Sequence, residues 1–175
     1  HGNIEELPRR VPVVSEADVC VVGGGCSGVF AAVRAARLGA RVVIIEKQNC
    51  FGGMATAGLV NLWHSLRALD GSRQIIGGLT QEVIERLMKR GAVRATSLLA
   101  KDFAFNSEEL KIELDELIVE NRIEPFLHTV YAAPVMAGNV LQAVIIENKN
   151  GRQAVRARHF VDATGVERQV GRAHV

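Results

Sequence analysis

The chain has 175 residues, of which 48% are hydrophobic, and it carries a formal net charge of +2. This length suits a single domain that buries a core. The nearly balanced charge lacks the basic stripe that nucleic acids require, and no apolar run approaches the length of a membrane span. We therefore expect neither a nucleic-acid partner nor a membrane-spanning helix.

Cysteine usage bears on location and metal binding. The spacing of the three cysteines matches neither a disulfide framework nor a metal site. We therefore expect no metal, and a reducing, cytoplasmic location is favoured. Because the chain begins with His rather than Met, we expect a trimmed start or the remnant of a tag.

Residues 1–16, with two prolines and mixed charge, predict an irregular lead-in to a domain over residues 17–165. A short apolar strand then leads directly into a glycine-rich turn. Its glycines occupy the G-x-G-x-x-G positions Gly23, Gly25 and Gly28. The first permits a tight turn, the second leaves room for a pyrophosphate, and the third lets the next helix pack close to the strand. By itself, this motif is also compatible with an ordinary loop.

The residues after the turn complete a β-α-β unit. An alanine-rich helix is predicted over residues 29–38, and Gly39 supplies its C-terminal stop. Residues 41–46 predict a buried parallel strand that ends in one acid, Glu46. A carboxylate there can accept hydrogen bonds from both hydroxyls of a ribose and would repel a 2′-phosphate. The alternative is a solvated strand end without a ligand.

A second glycine-rich loop follows over residues 47–58. Its closely spaced glycines and small residues indicate a backbone that passes near a large flat molecule, with a flexible surface loop as the alternative. Beyond it, Trp63 is followed by His64, which is either a structural or a functional histidine.

Residues 59–107 are interpreted as an insertion of helix and loop. Within it, an amphipathic helix is predicted over residues 81–90, and a glycine ends it. A second helix is predicted over residues 108–121, where Asn106 or Ser107 can cap its first turn.

The pattern changes to strands from residue 124 onwards. Strands are predicted over residues 125–136, 140–148 and 152–158, joined by tight turns into an antiparallel meander. The first of them either continues or bends after residue 130. Residues 159–165 then predict a buried strand that stops at a glycine. The predicted fold class is α/β, a Rossmann-like domain with a parallel sheet, helices and a three-stranded antiparallel β-meander crossover. A meander in place of a helical crossover separates flavoprotein-type dinucleotide folds from NAD-type Rossmann domains.

Five motifs occur in a fixed order along the chain. They are VVGGGCSG from residue 21, VIIEK from residue 43, GGMAT from residue 52, GGLTQE from residue 77 and VDATG from residue 161. Together they resemble the FAD-dependent oxidoreductase family within the glutathione-reductase-like flavoprotein superfamily, relatives of the fumarate reductase flavoprotein subunit. The resemblance covers residues 17–165 and implies a Rossmann-like FAD-binding domain.

The resemblance also implies which residues hold FAD. The implied pyrophosphate-binding residues are Gly23, Gly25, Cys26, Ser27 and Gly28. The residues implied beside the flavin end are Gly52, Gly53, Met54, Ala55 and Thr56. Glu46 and Lys47 would hold the adenosine ribose, and backbone near Val130 would recognise adenine. Thr164 and Gly165 would lie against the dinucleotide near the first turn.

The chain departs from the family pattern at its end. Family members typically continue after the final motif with an acidic-glycine run, a substrate domain and a last flavin-binding strand and helix. Residues 166–175 follow here instead, so we expect them to be the tail of a truncated or incomplete chain. Catalytic residues and the substrate stay unassigned for this reason.

The predicted function is an FAD-dependent oxidoreductase that transfers a hydride or electron pair between a small molecule and non-covalently bound FAD. A disulfide reductase would need a cysteine pair in the second loop, which holds only Cys50. An NAD-dependent dehydrogenase could use Glu46 equally well, but the meander and the second loop count against it. The third alternative is a non-catalytic dinucleotide-binding fragment or assembly module, and a homo-oligomer is left open because unclosed sheet edges need a partner.

Overall fold

The computed structural model describes residues 8–95 and 102–165. This part of the chain contains three helices, α1 (Cys26–Arg37), α2 (Leu79–Lys89) and α3 (Ser107–Glu120). Its strands are β1 (Val13–Val22), β2 (Val42–Ile45), β3 (Leu62–Trp63), β4 (Val93–Ala95), β5 (Phe103–Phe105), β6 (Glu124–Phe126), β7 (Val130–Ala137), β8 (Val140–Asn148) and β9 (Gly151–Asp162). None of these helices is long and apolar enough to cross a membrane.

The main sheet has six strands in the order β6-β2-β1-β9-β8-β7. The first four strands in this order run parallel, and β9, β8 and β7 form an antiparallel meander. β2 is continuously apolar, as are the last four residues of β1, Val19 to Val22, because side chains on both faces of this part of the sheet are covered. The predicted α/β class, with a parallel sheet and a meander crossover, is confirmed.

Two strand predictions differ from the structure in detail. The strand predicted over residues 125–136, for which both a continuous and a bent course were open, is two strands, because His128 has a left-handed backbone with φ +49° and breaks the extended chain. β6 pairs with β2 in the parallel sheet, and β7 begins the meander. The strands predicted over residues 152–158 and 159–165 are instead one strand, β9, since it pairs with β1 over most of its length and with β8 over its first half.

The predicted lead-in also ends earlier than expected. β1 begins at Val13, where its first residues pair in parallel with β9. The strand starts this early because β9 lies beside it and provides hydrogen-bond partners. The Ala154 N–H of β9 donates to the Pro12 carbonyl at 2.8 Å. Residues 1–7 of the lead-in and residues 166–175 of the tail lie outside the described residues.

Apolar side chains cover both faces of the parallel strands. The helices cover one face, in a cluster that includes Val21, Val29, Ile44, Leu87, Leu110 and Leu114. The meander covers the other face, in a cluster that includes Cys20, Val22, Val43, Ile45, Val144 and Ile146. Alternation along β1 and β2 sends neighbouring residues to opposite clusters. The strand ends are thereby held rigidly at one edge of the sheet.

The predicted insertion contains a second, three-stranded antiparallel sheet in the order β3-β5-β4. Strands of two or three residues leave no readable periodicity, so the sequence did not predict this sheet. The Trp63 and Phe105 rings pack against each other with centroids 4.7 Å apart. The two predicted helices are confirmed, and the side chain of Asn106 caps α3 by accepting from the Glu108 N–H at 2.9 Å.

Ion pairs join α2 to its neighbours. The Arg37 guanidinium of α1 binds both carboxylate oxygens of Glu82 at 2.7 and 2.8 Å. Arg86 makes the same kind of bidentate contact with Glu120 of α3, and Arg90 pairs with the buried Glu113. The helical layer is therefore held together by charge as well as by its apolar face.

Candidate functional site

The carboxyl ends of the parallel strands meet at one edge of the main sheet, which is where open α/β sheets bind ligands. Three backbone hydrogen bonds join the chain segments there. Gly23 N–H donates to the Ile45 carbonyl, Ala163 N–H to the Val22 carbonyl and Thr129 N–H to the Glu46 carbonyl, at 2.8, 2.8 and 2.9 Å. The residues that follow β1, β2, β6 and β9 therefore lie side by side.

Steric limits define the first glycine turn. Gly23 has φ +102°, and a Cβ there would lie 2.5 Å from the Ala163 carbonyl oxygen. A Cβ on Gly28 would lie 1.9 Å from the carbonyl oxygen of Gly23. Both positions therefore require glycine for the turn and for the close approach of α1 to β1.

Gly25 differs from these two glycines. Its φ is −62°, which any residue adopts, and a Cβ there would meet nothing within 4 Å. The first hydrogen bond inside α1 runs from the Val29 N–H to the Gly25 carbonyl at 2.9 Å. The N–H groups of Cys26, Ser27 and Gly28 precede that bond, so by helix geometry they lack intrahelical acceptors. The space at the start of α1 is open, carries backbone donors and lies at the positive end of the helix dipole.

Glu46 ends β2 with a buried carboxylate that is only 6% exposed. Its Oε2 accepts from the Gly24 N–H at 2.6 Å, and its Oε1 accepts from the Gln48 N–H at 2.8 Å. A carboxylate has about four lone-pair sites, so two backbone donors orient this group and leave acceptor capacity. The solvated strand end is therefore wrong for Glu46, although the adjacent Lys47 is exposed.

The second glycine loop is joined to the first. Gly52 N–H donates to the Gly24 carbonyl at 2.8 Å, and the Cys26 thiol donates to the Gly52 carbonyl at 3.6 Å. A Cβ on Gly53 would lie 3.2 Å from the Gly25 Cα. The alternative of a flexible surface loop is therefore wrong for this part, because its backbone packs directly on the first turn.

A short 3₁₀ turn, Gly53–Ala55, follows in this loop. Thr56 is fully buried, and its hydroxyl donates to the Phe51 carbonyl at 2.6 Å. Ala55 is also buried, whereas the Met54 side chain is exposed. The Thr56 side chain therefore stabilises the loop from the core side.

Sequence reasoning missed Gly24. A Cβ there would lie 2.6 Å from the Phe51 ring and 2.8 Å from the Cβ of Glu46. Of the two backbone hydrogen bonds to the Glu46 carboxylate, the one from the Gly24 N–H is also the shorter, at 2.6 Å against 2.8 Å. The signal was present as a run of three consecutive glycines, where the motif itself requires only two of them.

All three cysteines are free thiols. Burial raises the pKa of the Cys26 thiol to about 11 and that of the Cys20 thiol to about 12. Both thiols are therefore protonated and unreactive at neutral pH. Cys50 is buried and lies 4.0 Å from the Thr56 hydroxyl.

The remaining predicted residues lie around the same edge. Thr164 follows β9, and both its N–H and its hydroxyl donate to Asp162 Oδ1, at 3.1 and 2.7 Å. Its backbone nitrogen would be only 2.8 Å from a Cβ on Gly23, so it is adjacent to the first turn. Gly165 comes next, with φ +90° and open space around its Cα. Val130 begins β7 and is half-exposed.

His64 lies elsewhere, directly after β3 in the small sheet. Its side chain is 88% exposed, and its Nδ1 lies 3.9 Å from Asp102 Oδ2. The structure does not join it to the strand ends by any hydrogen bond among the described residues. Both alternatives for His64, a structural and a functional histidine, therefore stay open.

A family model described as FAD dependent oxidoreductase matches residues 18–166. The chain belongs to this family. The resemblance inferred from the five ordered motifs is thereby confirmed, and FAD is the cofactor that the family implies.

Two curated relatives of this family member match most of its length. Thiamine thiazole synthase of Aeropyrum pernix is 34% identical over 170 residues, which cover 89% of this chain and 57% of that protein. The mitochondrial dihydrolipoyl dehydrogenase of Schizosaccharomyces pombe is 27% identical over 165 residues, covering 87% of this chain and 29% of that protein. The chain thus spans less than two thirds of the curated relatives it matches.

Solved structures agree on the fold. THI4 of Thermovibrio ammonificans superposes with a TM-score of 0.60 at 21% identity, covering 88% of this chain and 59% of that one. At this identity the likeness shows the Rossmann-like fold alone. Neither the NAD-dependent dehydrogenase nor the non-catalytic module is favoured by these matches.

Proposed function

We propose that this chain binds FAD non-covalently at the carboxyl ends of its parallel strands. The chain would be the FAD-binding domain of an oxidoreductase that transfers a hydride or electron pair between a small molecule and the flavin. One observation carries the proposal. In a member of the FAD dependent oxidoreductase family, the space beside Gly25 is open and is flanked by backbone donors at the start of α1. A dinucleotide pyrophosphate has the size and charge for such a space.

The first turn would hold the pyrophosphate. Gly25 allows close approach to the backbone, and the N–H groups of Cys26, Ser27 and Gly28 are the donors. The first turn of α1 has no acidic residue to repel an anion. Because the Cys26 thiol is neutral, it adds no negative charge either. The chain therefore binds the phosphates through backbone dipoles rather than through a cationic side chain.

The adenosine half would lie across the ends of β2 and β7. Glu46 would accept hydrogen bonds from the ribose hydroxyls, with its orientation set by the Gly24 and Gln48 N–H groups. Lys47 is exposed beside it, and the backbone at Val130 would contact adenine. Thr164 and Gly165 would close this side of the dinucleotide next to Gly23.

The second loop would contact the flavin end. The residues assigned to it are Gly52, Gly53, Met54, Ala55 and Thr56. The bonds that join Gly52 to the first turn support this assignment, because they put the start of the loop beside the proposed pyrophosphate site. When bound, FAD supplies the redox chemistry by accepting a hydride or electron pair and passing it on. The chain contributes binding, orientation and exclusion of water.

Flavin binding is the direct test. The purified chain is examined by visible absorption, heated, and its released cofactor identified by chromatography, and apo chain is titrated with FAD and separately with NAD⁺. We expect stoichiometric FAD and no comparable affinity for NAD⁺. A chain that takes up NAD⁺ but not FAD would overturn the proposal.

Two finer parts of the proposal concern the whole protein. We infer a cytoplasmic protein from the three free cysteines. Self-association would use the sheet edges at β6 and β7, the two ends of the strand order. Analytical ultracentrifugation of the chain with and without FAD measures this self-association.

A further inference from the structure

A cleft of about 560 Å³ lies between the small sheet and the start of α3. Its lining combines apolar and polar side chains, among them Leu59, Val93, Phe105, Asn61, Arg94 and Ser107. This volume falls within the range of small-molecule sites, which are mostly apolar with a few convergent polar groups. The nucleotide site described above does not use this cleft.

The charge in the cleft is unbalanced. Arg94 is exposed in its wall and has no ion-pair partner within residues 8–95 and 102–165. The other charged lining residue, Glu108, is neutralised by the Lys111 ammonium at 2.7 Å. One guanidinium therefore offers its donors to whatever enters the cleft.

Leu59 gives the cleft a strained apolar wall. It has φ +56°, a left-handed conformation that is unfavourable for a residue with a Cβ. Its side chain is nevertheless 70% exposed. Backbone bonds maintain this conformation, since Leu59 N–H donates to the Thr56 carbonyl at 3.1 Å and Val60 N–H to the Met54 carbonyl at 2.9 Å. Strain of this kind concentrates at ligand-binding positions.

The cleft is continuous with the second glycine loop. The Ser107 hydroxyl, part of the cleft lining, donates to the Ala55 carbonyl at 3.0 Å. Leu59 follows the same loop within a few residues. A molecule in the cleft would therefore lie next to the residues assigned to the flavin end.

We propose that this cleft binds a small organic carboxylate with an apolar body. The Arg94 guanidinium holds the carboxylate, and Leu59 and Phe105 contact the apolar part. The assignment of this molecule as the substrate class of the enzyme rests on the proposed function, whereas the binding itself does not. Asn61 lines the same wall and supplies a further donor.

The test uses benzoate as the probe and benzamide as its neutral counterpart. Binding to the FAD-treated chain is measured by calorimetry and by amide chemical shifts in NMR. We expect benzoate to bind at least tenfold more tightly than benzamide, with shifts at the cleft residues. Arg94→Gln should weaken benzoate binding at least tenfold, whereas Arg122→Gln, an exposed arginine beyond the far end of α3, should leave it unchanged.

Leu59→Gly provides a second variant that relieves backbone strain and so favours folding. It should weaken benzoate binding several-fold because an apolar wall is lost.

Equal binding of benzoate and benzamide, or equal loss in the two arginine variants, would overturn the cleft assignment. FAD titration of the same samples separates the two proposals: a chain that binds FAD but not benzoate overturns only the cleft, and one that binds benzoate but not FAD overturns only the proposed function.

Discussion

The first glycine turn and the cleft beside the small sheet are built from different parts of the chain. The turn is main chain, and three of its positions, Gly23, Gly24 and Gly28, leave no room for a Cβ. The cleft is made of side chains from β4, β5, the start of α3 and the loop before β3. The turn excludes a side chain at these three positions, whereas the cleft is open by about 560 Å³.

The two regions therefore differ in what a substitution can change: in the turn it changes the backbone shape, and in the cleft it changes which ligand is preferred. In the turn, backbone groups would recognise a feature common to all dinucleotides, so a substitution there is expected to disturb the fold or the proposed binding of the phosphates. In the cleft, a side chain such as Arg94 can change the chemistry of recognition while the backbone stays as it is. The same domain can therefore keep its cofactor while its small-molecule partner varies.

The largest effect is expected for Gly28→Ala. The new Cβ would lie 1.9 Å from the Gly23 carbonyl oxygen, so α1 must move away from β1. We expect the free energy of unfolding to fall by about 3 kcal/mol or more, measured by urea denaturation. Ser27→Ala, at the exposed neighbouring position, should change it by less than about 0.5 kcal/mol. A fully stable Gly28→Ala chain would contradict the steric account of the turn.

Gly25→Val separates binding from folding. A Cβ at this position meets no atom within 4 Å, so we expect stability to change by less than about 1 kcal/mol. The side chain would instead fill the space proposed for the pyrophosphate and weaken FAD binding by at least about 100-fold, or 2.7 kcal/mol. Fluorescence titration with FAD measures this. Unchanged affinity in a folded variant would remove the first turn from the proposed site.

Glu46→Gln tests the buried carboxylate that binds the first turn. The amide keeps the shape of the side chain but removes charge-assisted bonds from the Gly24 and Gln48 N–H groups and from the proposed ribose. We expect a loss of about 1.5–3 kcal/mol in FAD binding, with adenosine monophosphate binding reduced in parallel. If only the free energy of unfolding falls, Glu46 is a structural residue of the turn.

Ser107→Ala gives the smallest effect and tests the link between the two regions. It removes the hydroxyl that donates to the Ala55 carbonyl at 3.0 Å. Thermal unfolding should show a loss of about 1 kcal/mol, with less than threefold change in FAD affinity. A larger loss of FAD affinity than in Glu46→Gln would mean that the cleft side, rather than the strand end, controls cofactor binding.

Local patterns predicted much of this molecule. The helix that leads away from the first glycine turn and the strand that ends at Glu46 form close to their predicted bounds, and the strand before Gly23 ends where it was predicted to end. The cap at Asn106 was predicted because an Asn side chain before a run of helix formers can accept a hydrogen bond from the free N–H groups of the first helical turn. The strand break at His128 was not, since nothing in that residue type requires a positive φ.

Glycine spacing and apolar runs act through neighbouring residues, so the sequence by itself determined the fold class and the first turn. The cofactor followed from the resemblance of five ordered motifs to a known family. Only the tertiary structure decided that Glu46 is buried against Gly24 and that β9 belongs to both the parallel sheet and the meander. It also decided the cleft, where Ser107 meets the loop at Ala55, 52 residues earlier in the chain. Such contacts depend on which faces pack together, and no local pattern encodes that choice.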